Sequence, residues 1–415
     1  MIMKFRLFII LLFALLLTSC ATDDSDETTS ANSSNLPWEK ISWETADDGQ
    51  YANFTYQDLQ PSCTNAPGTK PEFAFFFRQG ASDNLLVYFQ GGGACWHVNN
   101  TITEPTCTQE LRSEETTAYF DLIGTGVVKG LGGIFNFAKA DNPFQDWSFV
   151  YIPYCSGDLF WGAQDTVYGT DTVRHRGHVN TRVVIEWMKN KFQTSPDNIF
   201  VTGVSGGAYG AMGNFPYIKE EFSDSQFYVF ADAGNGVLND DFRTNGLTQW
   251  DIQIPSSTTM PGSTFTTLDG LAPEDLAISS FYAAIANHYS TTNFGQYTTA
   301  WDNNQTYFYN VMQNIDVTSD WDDITSDTVW CDWHDEMLAN VAATKTLSTE
   351  DNYKTYIAPG DVHTILMSSD MYTETSNEVG LMDWINAMLT DGSDFDDVMC
   401  VDDDCDKPAS CPDCS

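Results

Sequence analysis

Residues 199–208 read Ile199-Phe200-Val201-Thr202-Gly203-Val204-Ser205-Gly206-Gly207-Ala208. The apolar and β-branched run Ile199–Gly203 predicts a short buried strand. Gly203-Val204-Ser205-Gly206-Gly207 follows as a G-x-S-x-G turn, and Ala208–Glu220 continues with a helical pattern. Strand, sharp turn and helix around a serine is the setting that lifts a nucleophile above the end of a sheet. Small residues flank the serine because the turn is strained and a side chain would strike the neighbouring strand. A Gly-rich βα turn without chemistry has the same composition. The rest of the chain must therefore supply partners for Ser205.

Further strand-like runs lie at Phe73–Arg78, Leu85–Gln90, Ser148–Pro153, Phe227–Ala231, Phe294–Ala300 and Tyr353–Ala358. Most are continuously apolar or aromatic, as strands buried on both faces of a mostly parallel sheet must be. Helical patterns alternate with them, at Thr172–Phe192, Pro273–Tyr289, Asn304–Ile315, Asp332–Thr344 and Asn377–Leu389. The alternation predicts an α/β fold, a mostly parallel sheet with helices on both faces. Asn99–Asn142 and Asn239–Ala272 are rich in Gly, Thr, Asn and Pro, and read as loop insertions at the C-terminal edge of the sheet.

A serine nucleophile needs a base, and the chain has six histidines: His97, His175, His178, His288, His334 and His363. In a fold built on this turn the order is serine, acid, histidine, with the histidine in a loop after the last strand. Pro359-Gly360-Asp361-Val362-His363 is such a loop after Tyr353–Ala358. His334 reads as a surface residue of a helix, and His175 and His178 precede the serine. The acid falls between, at Asp302 after a strand, or at Asp316, Asp320 or Asp322 after a helix. Leu85–Gln90 runs into Gly91-Gly92-Gly93-Ala94-Cys95-Trp96. A strand ending in glycines upstream of the serine suits an oxyanion hole, whose donors are backbone amides. The amides of Gly92, Gly93 and Gly206 are the expected donors.

These blocks together resemble the pectin acetylesterase/Notum family of carboxylesterases, members of the α/β-hydrolase superfamily. Gln90–Trp96 is similar to the family's oxyanion loop, and Pro153-Tyr154-Cys155-Ser156-Gly157-Asp158 to its Pro-Tyr-Cys-Ser-Gly-Asp loop. Gly206 stands where the family commonly has Ala, and Gln90 where animal and plant members have Glu. Asp302-x-x-Gln305 resembles the block that carries the family's triad acid, so the resemblance selects Asp302. It implies an α/β-hydrolase-like fold, a Ser205–His363–Asp302 triad, no cofactor or metal, and an acylated glycan or small ester as substrate. Trp96, Asp158 and Trp161 are candidates for the substrate pocket. A serine peptidase on the same fold and a non-catalytic glycan-binding protein are the alternatives; the intact triad argues against the second.

Lys4 and Arg6 precede the apolar run Leu7–Leu17, whose eleven residues are too short to span a bilayer as a helix. Residues 1–19 read as a signal peptide, and Leu17-Thr18-Ser19-Cys20 resembles a bacterial lipobox that would lipidate Cys20. Residues 20–36 form a polar tether, 37–391 the catalytic domain, and 392–415 an acidic Cys-rich tail. The expected address is the cell envelope, at the outer membrane, with contact to membrane through the lipid alone. Export favours disulfides. Cys95 with Cys107 and Cys63 with Cys155 are candidate pairs, and the four tail cysteines suit two local bridges better than zinc.

Lys+Arg is 18 against 58 Asp+Glu, a formal net charge of −40. Bulk attraction to a nucleic-acid backbone is excluded. The same charge opposes binding of polygalacturonate, a polyanion. Short acyl esters on neutral or weakly charged glycans are therefore expected in preference to pectin. The cations Arg174, Arg176, Arg182, Lys189 and Lys191 around one predicted helix are the one cluster that could counter this argument.

Overall fold

The computed structural model describes residues 36–43, 53–66, 69–96, 106, 131–315, 328–390, 392–401 and 405–407. The leader, Cys20, the tether up to residue 35, His97, Cys107, Asp316, Asp320, Asp322, Cys411 and Cys414 lie outside these residues. So does most of the first expected insertion.

The strands are β1 (Trp38–Ser42), β2 (Ala74–Arg78), β3 (Leu85–Phe89), β4 (Ser148–Ile152), β5 (Gln164–Tyr168), β6 (Asp171–His175), β7 (Asn198–Val204), β8 (Gln226–Asp232), β9 (Asn293–Thr299), β10 (Tyr353–Ala358), β11 (Thr375–Ser376), β12 (Val379–Gly380) and β13 (Val398–Met399). The helices are α1 (Gly177–Lys191), α2 (Gly206–Glu221), α3 (Ile278–His288), α4 (Asn303–Asn314), α5 (Thr328–Leu347) and α6 (Leu381–Leu389). Among the described residues nine strands form one sheet in the order β1-β2-β4-β3-β7-β8-β9-β10-β13. From β4 to β13 every pairing is parallel, and β1 and β2 close one edge with antiparallel pairing.

Alternation along each strand divides the core in two. Phe75, Phe77, Leu85, Val87 and Phe89 face the layer that holds α1 to α5. Phe76, Leu86, Tyr88, Phe200 and Phe230 face a second layer with Trp384, Ile385 and Met388 of α6. Each such large side chain, fully buried, contributes about 1.5–3 kcal/mol. Helices thus cover both faces, most of them on one.

The predicted strands all form, within a residue or two of their expected ends. Other boundaries differ. The helix expected from Thr172 begins at Gly177, because Asp171–His175 pairs with Gln164–Tyr168 as a hairpin whose turn holds Gly169 at φ +59°. The helix expected from Asn377 begins at Leu381, after the β11–β12 hairpin. The expected separate tail is partly built into the domain: Val398–Met399 adds an edge strand beside β10. Cys400–Cys405 forms a disulfide there, and the Gly360 amide donates to the Cys405 carbonyl. Cys63–Cys155 is also bonded. Cys95 and Cys331 are disulfide-bonded as well, but Cys107, the expected partner of Cys95, is not among the described residues. The second insertion, which leaves the C-terminal end of β8, holds a π-helical turn at Phe242–Leu247.

The turn between β7 and α2 leaves no room for a side chain two residues before or after the serine. A Cβ on Gly207 would lie 2.1 Å from the Phe89 carbonyl oxygen, and one on Gly203 would lie 2.1 Å from the Gly207 carbonyl oxygen. Both obstacles are backbone, which cannot rotate away. Gly207→Ala should therefore cost about 3 kcal/mol or more of stability. Gly380→Ala meets only the Asp383 side chain and should stay close to wild type. Chemical denaturation of the two variants checks this; equal midpoints would refute the close approach.

Candidate active site

Ser205 caps the N-terminus of α2 with φ 55° and ψ −124°. A non-glycine residue rarely occupies this region, and it persists only where the surroundings over-determine it. Here they do. The Ser205 N–H donates to the Asp232 carbonyl at 2.7 Å, and the two flanking glycines press on the end of β3. Gly206 begins the helix, so its amide has no acceptor within it.

Asp302 follows β9 and caps α4. Its side chain is fully buried. The carboxylate is hydrogen-bonded on both oxygens: the Gln305 amide donates to Oδ1 at 2.8 Å and Gln305 Nε2 to Oδ2 at 3.0 Å. His363 Nδ1 lies 2.9 Å from each oxygen. A carboxylate only accepts, so Nδ1 carries the proton and Nε2 is left as the basic nitrogen. The two loops are stitched together by their backbones, Trp301 N–H to the Gly360 carbonyl and Asn303 N–H to the Asp361 carbonyl. Burial pulls the His363 pKa down. The charge and hydrogen bond of Asp302, with the charge of Asp232, outweigh this and hold it above the ordinary histidine value.

Ser205 stands between two cavities. One, of about 70 Å³, is apolar and lined by Trp96, Tyr209, Val237, Phe242, Phe308 and Trp333, with Gly93 and Gly206 at the serine. The other, of about 320 Å³, is lined by Gly91, Gly92, Gly93, Asn304, His363 and Met367. Among the described residues no Lys or Arg lines either cavity. No cluster of His, Cys, Asp or Glu that could hold a metal ion occurs among the described residues.

Three expectations for the surroundings need correction. Asp158 does not line the pocket. It is fully buried, accepts from the Ser156 hydroxyl at 2.6 Å and from the amides of Phe160 and Gly177, and its pKa is pushed up to about 6 by burial. It ties the Pro153–Asp158 loop to the start of α1. Trp161 is also core: it donates to the Tyr209 carbonyl and packs against Phe281. Gly213, with no side chain of its own, makes room for the indole. His334 is no free surface residue, since its ring stacks on Trp301 at 4.2 Å and its Nδ1 lies 2.7 Å from the Ala300 carbonyl. Phe242, Phe308 and Trp333 of the apolar cavity went unnoticed in the sequence. They come from three separate segments, and no spacing links them.

The Pectinacetylesterase family model matches residues 58–379. Pectin acetylesterase 11 of Arabidopsis thaliana is 28% identical over 147 residues, 35% of this chain and 35% of that protein. The palmitoleoyl-protein carboxylesterase NOTUM of Schmidtea mediterranea is 28% identical over 142 residues, 33% of this chain and 25% of that protein. The matched segments thus span about a third or less of these relatives' lengths. Among solved structures, the Wnt deacylase Notum from Drosophila superposes with a TM-score of 0.55 at 16% identity, covering 86% of this chain and 94% of that one. A second crystal form of it gives the same TM-score at 17% identity. The likeness to these structures establishes an α/β-hydrolase-like fold. With the family model matched over most of its length, the chain belongs to the pectinacetylesterase family.

Proposed function

We propose that this protein is a serine carboxylesterase that removes short acyl groups, acetyl foremost, from neutral or weakly charged glycans. One observation carries the reading: a histidine bound to a buried carboxylate opens onto the same cavity as a serine on a strained strand–helix turn. In the reaction Ser205 Oγ attacks the ester carbonyl carbon while His363 Nε2 takes its proton. Asp302 keeps the Nδ1–H tautomer in place and stabilises the imidazolium. The amides of Gly92, Gly93 and Gly206 receive the oxyanion, donors set in place before the charge forms. His363 then protonates the leaving alcohol, the C–O bond breaks, and an acyl-enzyme remains. Water, deprotonated by His363, releases the acid and restores the serine.

The cavities support the substrate class. The apolar one, walled by Trp96, Phe242, Phe308 and Trp333 beside Ser205, suits an acyl group. The larger one, on the histidine side, suits the alcohol part. Among the described residues no cation lines either to receive a polyuronate. Two of the five cations around α1 are paired with carboxylates: Arg176 bidentately with Asp165, and Lys189 with Glu186 and Glu221. The disulfides fit an oxidising compartment. We infer that the protein is exported and anchored to the cell envelope by a lipid on Cys20. Cys20→Ser should then move it from membrane to soluble fractions; an unmodified wild-type mass would reject the anchor.

Ser205→Ala should abolish turnover of p-nitrophenyl acetate by several orders of magnitude while leaving the circular dichroism spectrum unchanged. Activity retained in that folded variant would remove the serine mechanism. Asp302→Asn should slow turnover by about 10⁴, by favouring the wrong tautomer. The pH profile follows from sign. The base must be neutral, so kcat/KM rises with pH through the raised pKa of His363, and its acid limb should lie above 6.5. Last, acetate release from acetylated xylan or mannan should exceed release from acetylated pectin at low salt. A marked preference for pectin would overturn the charge argument.

A further inference from the structure

A second buried carboxylate adjoins the site and has no part in the reaction as written above. Asp232 ends β8, between the strand that leads to Ser205 and the strand that leads to Asp302. It is fully buried. Its main-chain carbonyl accepts the Ser205 amide at 2.7 Å. Its side-chain Oδ2 accepts two amides, Ile365 N–H and Leu366 N–H, each at 2.9 Å. These follow His363 by two and three residues. One residue therefore grips the nucleophile turn with its backbone and the histidine loop with its side chain. The grip matters because Ser205 and His363 come from distant parts of the chain, and a misplacement of about 1 Å between reacting groups costs about 10²-fold in rate.

Resting on the esterase reading, we propose that Asp232 is a positioning residue of the hydrolytic site: it clamps the histidine loop to the nucleophile turn and sets a second negative charge behind His363. Buried carboxylates are costly and persist where hydrogen bonds or charge partners hold them. Asp232 has only the two amides on Oδ2. Its Oδ1 has no hydrogen-bond partner among the described residues. The groups whose charge it feels are His363 and Asp302. Tyr88 of β3 and Tyr297 of β9 also face it, and burial raises both phenols well above their usual range, so they stay neutral. Burial pushes the Asp232 pKa up to about 7, against the pull of the two amides and of His363, with Asp302 adding to the rise. Near neutral pH its charge is therefore variable. When ionised it favours the imidazolium that forms as Ser205 attacks.

The test is the kcat and KM of the full chain for p-nitrophenyl acetate across pH 5–9, for wild type, Ser205→Ala, Asp232→Asn and Asp232→Ala. Asp232→Asn keeps an oxygen for the two amides and removes the charge. Its kcat on the alkaline plateau should fall by less than about tenfold. Its acid limb should move to lower pH, because His363 loses a neighbour that favours protonation. Asp232→Ala releases the loop, and kcat should fall about 10²-fold with KM little changed. A merely structural carboxylate would not move the acid limb. An Asp232→Asn limb that coincides with wild type, or a folded Asp232→Ala with wild-type kcat, overturns the inference. Should neither variant fold, the wild-type profile decides: an acid limb with two ionisations supports the inference, and one with a single ionisation overturns it. Turnover that persists in Ser205→Ala ends the esterase reading and the inference together. Ser205-dependent turnover with an unmoved Asp232→Asn profile ends the inference alone.

Discussion

The close approach of Gly203 and Gly207 to the end of β3 is the constraint on which the site depends. Two backbones meet there at distances that exclude even a methyl group. That contact forces the chain to reverse from strand to helix within one residue, and the reversal puts Ser205 into a left-handed conformation it would otherwise avoid. The same contact lays Gly91–Gly93 alongside the serine, because those glycines continue directly from β3. Ser205 and the glycine amides beside it are thus positioned by one piece of packing.

The parallel sheet supplies the rest of the geometry. β3, β7, β8, β9 and β10 are consecutive neighbours and run in the same direction. Their C-terminal ends therefore lie side by side. Gly91–Gly93, Ser205, Asp232, Asp302 and His363 follow from or end these five strands in that order. Residues separated by more than 270 positions in sequence meet without any long excursion of the chain. The loops that leave these ends are fastened to each other: the Trp301 and Asn303 amides donate to the Gly360 and Asp361 carbonyls, the Asn235 amide to Gln305 Oε1, and the Ile365 and Leu366 amides to the Asp232 carboxylate. The edge strand β13 and its disulfide continue the support outward, since Cys405 receives the amide of Gly360 in the histidine loop.

Charge is handled in two ways. The surface carries the large negative excess, and several of the few cations are spent on neighbouring carboxylates, as Arg176 and Lys189 are. In the interior, Asp302, Asp158 and Asp232 each accept at least two hydrogen bonds, and burial still raises Asp158 and Asp232 toward neutrality. On the proposed hydrolytic reading, this separation keeps a strongly acidic protein compatible with a site that stabilises a transient anion. Only groups inside the low-dielectric region act strongly on the developing charge.

The seven apolar strand runs were legible from residue order, because a strand buried on both faces leaves an unbroken apolar stretch. The nucleophile turn, the glycine loop and the histidine loop were legible too, because each needs particular residues at fixed spacing. The short strands of the β5–β6 and β11–β12 hairpins were not. Thr172 and Val173 extend a helical pattern equally well, and only pairing with Thr166 and Val167 decides for strand. Nor could the sequence separate Asp158 and Trp161 from the pocket-lining Trp96: all three sit in loops next to the site, and burial against Gly177, Gly213 and Tyr209 is a three-dimensional fact. The role of Asp232 was hidden for the same reason. In sequence it is one of 42 aspartates at the end of an apolar run. Only the sheet order puts its carboxylate under the amides of Ile365 and Leu366, 133 and 134 residues away. Local pattern determined the strands, the turn and the residue types of the site. The tertiary structure decided which carboxylates face the histidine, because that depends on which strands are neighbours.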